Sequence, residues 1–127
     1  MSTLRTNRIE LSDGSQGVDT GYVIDGSVKS HVRLYMVGSV IYSDSLNVSS
    51  GTDNGVGDWT INLSNAMATS TYSGVTGGNQ SGGGSHSASK IGLTSFAATN
   101  FRIMCEDGAN NAADMDIACA ATLGDLA

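Results

Sequence analysis

Apolar and polar residues alternate along three windows of this chain. The apolar residues at every second position are, window by window, Val32, Leu34 and Met36; Trp59, Ile61 and Leu63; and Phe101, Ile103 and Cys105. Residues two apart point to the same face of a β-strand, so each window predicts a strand with one buried face. The intervening residues, such as His31 and Thr60, are predicted to face the other side.

Weaker versions of this pattern predict four or five more strands. They lie at residues 40–48, 70–76, 89–95 and 115–121, and the last window carries Met115, Ile117, Cys119 and Ala121. Residues 110–121 are rich enough in alanine to suggest a helix, but the period of two favours a strand. Short strands at this spacing, without a convincing helical window, predict an all-β fold. The expected architecture is an antiparallel β-sandwich of about seven or eight short strands with an extended N-terminal arm.

Residues 43–63 predict a β-hairpin. The turn is marked by Asp53-Asn54-Gly55, because an Asn-Gly pair accepts the positive φ angles of a type I′ turn. Trp59, Ile61 and Leu63 share a parity in the second strand of this hairpin, so Trp59 is expected in the core. If its face were outward instead, Trp59 would be an interface or sugar-stacking anchor.

The chain is predicted to consist of an arm and one domain. Residues 1–11 are expected to form an extended N-terminal arm or edge strand, and residues 12–127 a single β-sandwich domain. Within that domain, residues 12–29 are dense in turn formers and predict a loop with at most one short strand, at 22–24. Residues 77–87 contain five glycines and predict a flexible loop.

The net charge is −6, and only 14% of the 127 residues are charged. This balance opposes nucleic-acid binding, which requires clustered basic residues. Residues 1–9 hold Arg5 and Arg8 and no acidic residue, whereas the remaining chain holds four basic residues against twelve acidic ones. A basic arm on an acidic body predicts a docking role for the two arginines. The alternative is that both are simply solvated.

The sequence predicts neither a secretion signal nor a membrane span. The start, MSTLRTNRIEL, has no apolar core, and no apolar run approaches the roughly 18–20 residues that a spanning helix needs. We therefore expect synthesis in a cytosol, where cysteines stay reduced. In a simple hairpin centred near residue 110, Cys105 and Cys119 are out of register. Two small buried thiols are expected rather than a disulfide.

No group of residues predicts catalysis. His31 and His86 are accompanied by many serines and aspartates, but no Gly-x-Ser-x-Gly motif occurs. His86 lies in the glycine-rich loop, which would hold a base poorly. That loop also lacks the spacing of a phosphate-binding motif. The sequence therefore favours a protein that is not an enzyme and that uses no cofactor.

Asp53, Asn54 and Asp58 form a candidate metal site. Oxygen ligands on a tight loop suit Ca²⁺, but the same residue types stabilise turns through local hydrogen bonds. The spacing of a calcium-binding loop is missing, so the turn interpretation is favoured and the question of Ca²⁺ stays open.

The glycine-rich loop and the Asn54 turn together predict a display surface that contacts a partner. A surface linker without a partner is the alternative for the loop. The candidate contact residues are Asn54, Asn79, Gln80, Ser85 and His86.

Residues 43–73 resemble a family of small β-domains found in the particles of tailed phages. The family's central stretch is similar to SxNVSSxTDNGxGDxTxNF, and the matching residues here are Ser45, Asn47-Val48-Ser49-Ser50, Thr52-Asp53-Asn54-Gly55, Gly57-Asp58, Thr60 and Asn62-Leu63. Weaker matches are the MSTLR start, Ala66-Met67, Tyr72-Ser73, Phe101-Arg102-Ile103 and Ala121-Thr122-Leu123-Gly124. The chain departs from the family at His31, Ala68 and the loop 77–87.

The resemblance implies a trimeric component of a phage virion. Members of the family are mostly the distal domains of tail fibres and tailspikes. Since one domain and an arm leave no room for a fibre shaft, the expectation is a capsid decoration, or cement, protein. It would form a homotrimer on the outer capsid surface and bind the major capsid protein, with Arg5 and Arg8 helping to dock the arm.

The resemblance also implies an alternative, a tail-fibre or tailspike-type receptor-binding module. Such a module would recognise host surface glycans through the loop 77–87 and the Asn54 turn. A third possibility is a cellular carbohydrate-binding module, which would bind sugars without associating with a virion.

Overall fold

The computed structural model describes residues 6–38, 40–41, 44–79 and 90–127. In these ranges the chain forms ten β-strands and one helix, α1 (Thr20–Gly26). The strands are β1 (Arg8–Glu10), β2 (Gly17–Asp19), β3 (Val28–Tyr35), β4 (Val40–Ile41), β5 (Val48–Gly55), β6 (Asp58–Leu63), β7 (Ser73–Asn79), β8 (Lys90–Ala97), β9 (Asn100–Glu106) and β10 (Ile117–Leu123).

The described strands form three antiparallel sheets. Two sheets have four strands each, in the orders β4-β3-β10-β7 and β5-β6-β9-β8, and the third is the β1-β2 hairpin. The predicted all-β, antiparallel fold is confirmed, with ten described strands rather than seven or eight. Strand β10 lies between β3 and β7, so the end of the chain completes a sheet begun by its first third.

The two four-stranded sheets share one hydrophobic core, and we call them together the two-sheet body. The three alternating windows are confirmed as β3, β6 and β9, whose inward side chains Leu34, Ile61, Phe101 and Ile103 are fully buried. Burial of such side chains contributes roughly 1.5–3 kcal/mol each, which makes this core the main stabilising feature. Its other members are Val32, Met36, Trp59, Leu63, Met67, Tyr72, Cys105, Met115, Ala118 and Ala120.

Strands β5 and β6 form the predicted hairpin, but its turn lies later than the sequence suggested. Val56 and Gly57 form the turn, and Asn54 is the extra residue of a bulge within β5. Gly57 has φ +68°, and a Cβ there would lie 2.5 Å from the carbonyl oxygen of Cys105. Gly57 therefore suits this turn for two reasons: its backbone is left-handed, and the backbone of Cys105 lies too close for a side chain.

Trp59 is buried in the core, as its parity with Ile61 and Leu63 predicted; it is 3% exposed. Gly51, on the neighbouring strand β5, provides space for the indole. A Cβ on Gly51 would lie 3.1 Å from the Trp59 ring and 2.5 Å from Cδ1 of Ile41. The large aromatic side chain thus packs over a position without a side chain.

Strand β10 lies where it was predicted, but the opposite set of its residues faces the core. Ala118, Ala120 and Thr122 are buried, whereas Cys119 is half-buried on the outer side. The expectation of two buried thiols is therefore right for Cys105 and wrong for Cys119. Strands β9 and β10 belong to different sheets and do not form the simple hairpin assumed from the sequence. Both cysteines are free.

Residues 12–29 do not form the predicted loop. Strand β2 pairs with β1, and α1 follows directly, so residues 22–24, predicted as a strand, are helical. A helix of seven residues is too short for its apolar period to be visible in the sequence. Residues 6–26 thus form one hairpin–helix segment, which we call the N-terminal unit.

Candidate interaction surfaces

The outer face of the β5-β6-β9-β8 sheet is polar, and we call it the polar face. Its amide and hydroxyl groups bond across strands; for example, Nδ2 of Asn62 donates to Oγ of Ser50 at 3.1 Å. Many of its polar groups therefore have protein partners. The side chains of the face are Ser50, Thr52, Asn54, Asp58, Thr60, Asn62, Lys90, Thr94, Asn100, Arg102, Met104 and Glu106.

An ion pair between Asp58 and Arg102 lies within the polar face. Arg102 donates through Nε to Oδ1 of Asp58 at 3.0 Å and through a second nitrogen to Oδ2. Nδ2 of Asn54 donates to the same Oδ1 at 3.2 Å and to Oγ1 of Thr60 at 2.9 Å. The hydrogen bonds from the Arg102 guanidinium hold the pKa of Asp58 below its ordinary value. Asp58 is therefore ionised at neutral pH.

The candidate Ca²⁺ ligands have protein partners. Oδ1 of Asp53 accepts the backbone N–H of Gly55 at 2.9 Å, which is a local turn bond. Asp58 binds Arg102, as described above. In the ranges that the structure describes, no group of three or more His, Cys, Asp or Glu residues could hold a metal ion. The bond of Asp53 to Gly55 is a local turn bond, whereas Asn54 bonds across to Asp58 and Thr60 of β6.

The outer face of β3, β10 and β7 is apolar over its centre, and we call it the apolar face. All the outward side chains of β10 are apolar and half-buried. The small residues Gly77, Cys119 and Ala121 leave a groove of about 390 Å³ along this face. The described side chains of the face are Val28, His31, Arg33, Tyr35, Ser73, Val75, Gly77, Ile117, Cys119, Ala121 and Leu123.

The N-terminal unit buries none of its residues. Its backbone is nevertheless tied together, since Thr20 donates to the carbonyl oxygens of Asn7 and Thr6 at 3.0 and 2.9 Å. A two-stranded hairpin and a seven-residue helix are each marginal alone in water. Exposed apolar patches of this kind are uncommon on monomeric soluble proteins. The residues, between 40% and 76% exposed, are Ile9, Leu11, Val18, Tyr22, Val23 and Ile24.

The two predicted docking arginines are described only in part. Arg8 lies in β1, where its Nε is 3.3 Å from Oε2 of Glu10, and both side chains are about half exposed. Its charge is thus balanced within its own strand. Arg5 lies outside the described residues.

The predicted display surface is also described in part. Asn54 is exposed, but its amide is engaged with Asp58 and Thr60. Residues 77–79, predicted as loop, belong to β7, where the backbone of Asn79 lies opposite Ile117. The other contact residues proposed for this surface, which lie outside the described ranges, are Gln80, Ser85 and His86.

The two thiols differ in their surroundings. Burial, with a smaller contribution from the negative charge of Asp114, raises the pKa of Cys105 to about 12. Cys105 is therefore a protonated, inert thiol at neutral pH, whereas Cys119 is reached from the groove of the apolar face.

Among the described residues no helix is long or apolar enough to cross a bilayer.

The sequence carried a signal for the apolar face that does not lie in the alternating windows. Strand β10, IACAATL, is apolar at both parities except at Thr122. A continuous run of this kind is typical of a strand that is covered on both faces. The N-terminal unit had a weaker signal, the three consecutive apolar residues at 22–24.

Comparison with known proteins gives no match: no family model fits the chain, and no curated protein or solved structure is similar to it.

Proposed function

We propose that this chain is a structural protein of a phage particle, a homotrimeric decoration or cement protein. It is made in the host cytoplasm and binds the major capsid protein on the outer capsid surface. Its action is mechanical: trimers bridge neighbouring capsid subunits and oppose expansion of the shell. Because the protein binds only the assembled shell, that shell is stabilised by mass action.

The observation that carries the proposal is apolar surface left outside the core. The N-terminal unit and the apolar face are separate surfaces, and each exposes apolar groups that lie outside the shared hydrophobic core. Monomeric proteins rarely keep such patches unless they are interaction sites. Two such surfaces on one small chain fit a protein that acts within an assembly. The resemblance of residues 43–73 suggests which kind of assembly.

The proposal is tested by mixing the full chain with tailed-phage capsids that lack their decoration protein. We expect saturable co-sedimentation with hundreds of copies per particle. A chain that binds no shell, or that associates in only a handful of copies at a tail, would contradict the capsid role.

The docking role of the arm has a matched pair of variants. Arg8→Ala and Lys90→Ala each remove one exposed cation that is paired with a glutamate, Glu10 or Glu106. We expect Arg8→Ala, and more strongly a deletion of residues 1–9, to weaken capsid binding, and Lys90→Ala to leave it unchanged. Undiminished binding after the deletion would exclude a docking role for Arg5 and Arg8.

A second function, recognition of host surface glycans by a tail-type module, is favoured by the polar face. Nδ2 of Asn54 and Nδ2 of Asn62 bond to protein partners, and the amide oxygens of both side chains are groups that can accept hydrogen bonds from sugar hydroxyls. Titration with host surface polysaccharide tests it: binding that is lost in Asn62→Ala would support this function. No binding to any polysaccharide of a susceptible host would exclude it.

A further inference from the structure

We propose that the N-terminal unit of one copy of this chain packs on the apolar face of a second copy. The contact joins two different surfaces, so every copy carries one of each. This inference assigns the contact behind self-association, and it depends on the proposed function only for the number of copies.

The first argument is that the N-terminal unit has exposed apolar side chains and the apolar face has a groove that can receive them. The N-terminal unit is a folded segment without a core of its own, and no described residue fills the groove of the apolar face. The three consecutive apolar residues of α1, Tyr22, Val23 and Ile24, are 76%, 42% and 56% exposed. The groove is floored by Gly77, Cys119 and Ala121, whose small size leaves room for larger side chains. Docking would bury both sets together.

The second argument is charge. Residues 6–26 contain one basic residue, Arg8, against four acidic ones, Glu10, Asp13, Asp19 and Asp25, which leaves a net charge of −3. The described side chains of the apolar face include no acidic residue, and they include the cation Arg33. Opposite charge around matching apolar centres favours this pairing and steers the encounter.

The third argument explains why the occupant comes from another molecule. The carbonyl oxygen of Ile24, in the last turn of α1, accepts hydrogen bonds from Oγ of Ser27, at 3.0 Å, and from Nζ of Lys29. These bonds fix the end of the helix at the start of β3. No backbone hydrogen bond among the described residues joins residues 6–26 to the two-sheet body. Within the described residues the unit is therefore not tied by backbone bonds to the face of its own chain, which leaves it available to a second copy.

A contact between two different surfaces is heterologous, and such contacts generate closed rings when the rotation permits. In a ring each copy donates its N-terminal unit to one neighbour and receives another on its apolar face. A ring of three is the arrangement that the proposed function requires.

The experiment measures the molar mass of the full chain by light scattering during size-exclusion chromatography. Val75 and Val56 form a matched pair of exposed valines, 60% and 61% exposed, on the apolar face and on the β5-β6 turn. We expect the wild type and Val56→Asp to elute as oligomers and Val75→Asp as a 13.0 kDa monomer. Ile24→Asp, in the N-terminal unit, should dissociate in the same way. A charge at the centre of the contact should raise the dissociation constant by roughly 100-fold or more.

Mixing the two disrupted variants gives the sharper test. Val75→Asp keeps an intact N-terminal unit, and Ile24→Asp keeps an intact apolar face, so one contact can form between them. We expect the mixture to give a species of twice the 13.0 kDa chain mass, although each variant alone is monomeric. Monomeric variants that do not pair on mixing would overturn the proposal.

Alkylation of Cys119 provides a second readout, because Cys105 is buried and protonated. We expect slow alkylation of native wild type and faster alkylation of Val75→Asp. A wild type that remains monomeric up to its solubility limit would overturn the proposal. So would protection of Cys119 in a monomer, which would mean that the unit covers its own face. Capsid co-sedimentation is scored separately, so failure of the virion role is distinguishable from failure of this contact.

Discussion

The outer faces of the two four-stranded sheets differ in how they meet their surroundings. On the polar face, hydrogen bonds such as those of Asn54, Asp58 and Arg102 link the strands to one another. Many polar groups of this face therefore have protein partners. On the apolar face, β10 presents apolar side chains outward as well as inward. A strand that is apolar on both sides requires a covering layer. The polar face thus binds within itself, whereas the apolar face leaves apolar side chains outside the core.

The largest effect is expected from two substitutions on opposite sides of β10. Ala118 is fully buried and Ala121 lies on the apolar face. Ala118→Asp should cost at least about 3 kcal/mol, because it buries an unpaired charge. Ala121→Asp should fold with nearly wild-type stability and lose self-association instead. Urea unfolding, followed by the fluorescence of Trp59, measures the stability of both variants. The molar mass in solution measures the self-association of Ala121→Asp. Equal destabilisation by both would mean that the outer side of β10 is not a surface.

A smaller effect is expected from the buried hydroxyl pair between β3 and β10. Oγ of Ser30 and Oγ1 of Thr122 are 2.6 Å apart, and both residues are fully buried. Ser30→Ala leaves the Thr122 hydroxyl without this partner, at a cost of about 1–3 kcal/mol. The double variant with Thr122→Val should be more stable than the sum of the single effects predicts, and thermal or urea unfolding measures this coupling. Strict additivity would show that the two hydroxyls do not depend on each other.

The smallest effect is expected on the polar face. Asp58→Asn should cost no more than about 1 kcal/mol at pH 7, because the ion pair with Arg102 is partly exposed. The pKa of Asp58 is lowered in the folded state, so its ionised form contributes stability above the ordinary value of 3.8. That contribution is lost as the pH falls through the lowered value.

Unfolding of the wild type and Asp58→Asn across acidic pH tests this expectation. The difference in stability should be present at pH 7, shrink with added salt, and disappear at the lowest pH. A difference that grows on acidification would contradict the ion pair.

The sequence predicted those elements in which one face meets the core and the other meets water. Strands β3, β6 and β9 have this character, and their inward residues were identified correctly, including Trp59. The N-terminal helix was missed because seven residues contain too few turns to show a period. The β5-β6 turn was misplaced because Asn54-Gly55 and Val56-Gly57 both offer a glycine. The close approach of Gly57 to Cys105 on β9 selects the second.

The sequence by itself determined the all-β class and the main core strands, because alternation and composition are local properties. Only the tertiary structure decided which side of β10 faces inward, since the core side is set by β3 and β7, both distant in sequence. It also decided that the N-terminal unit remains uncovered. Exposure depends on what a segment packs against, and that is set by residues outside the segment.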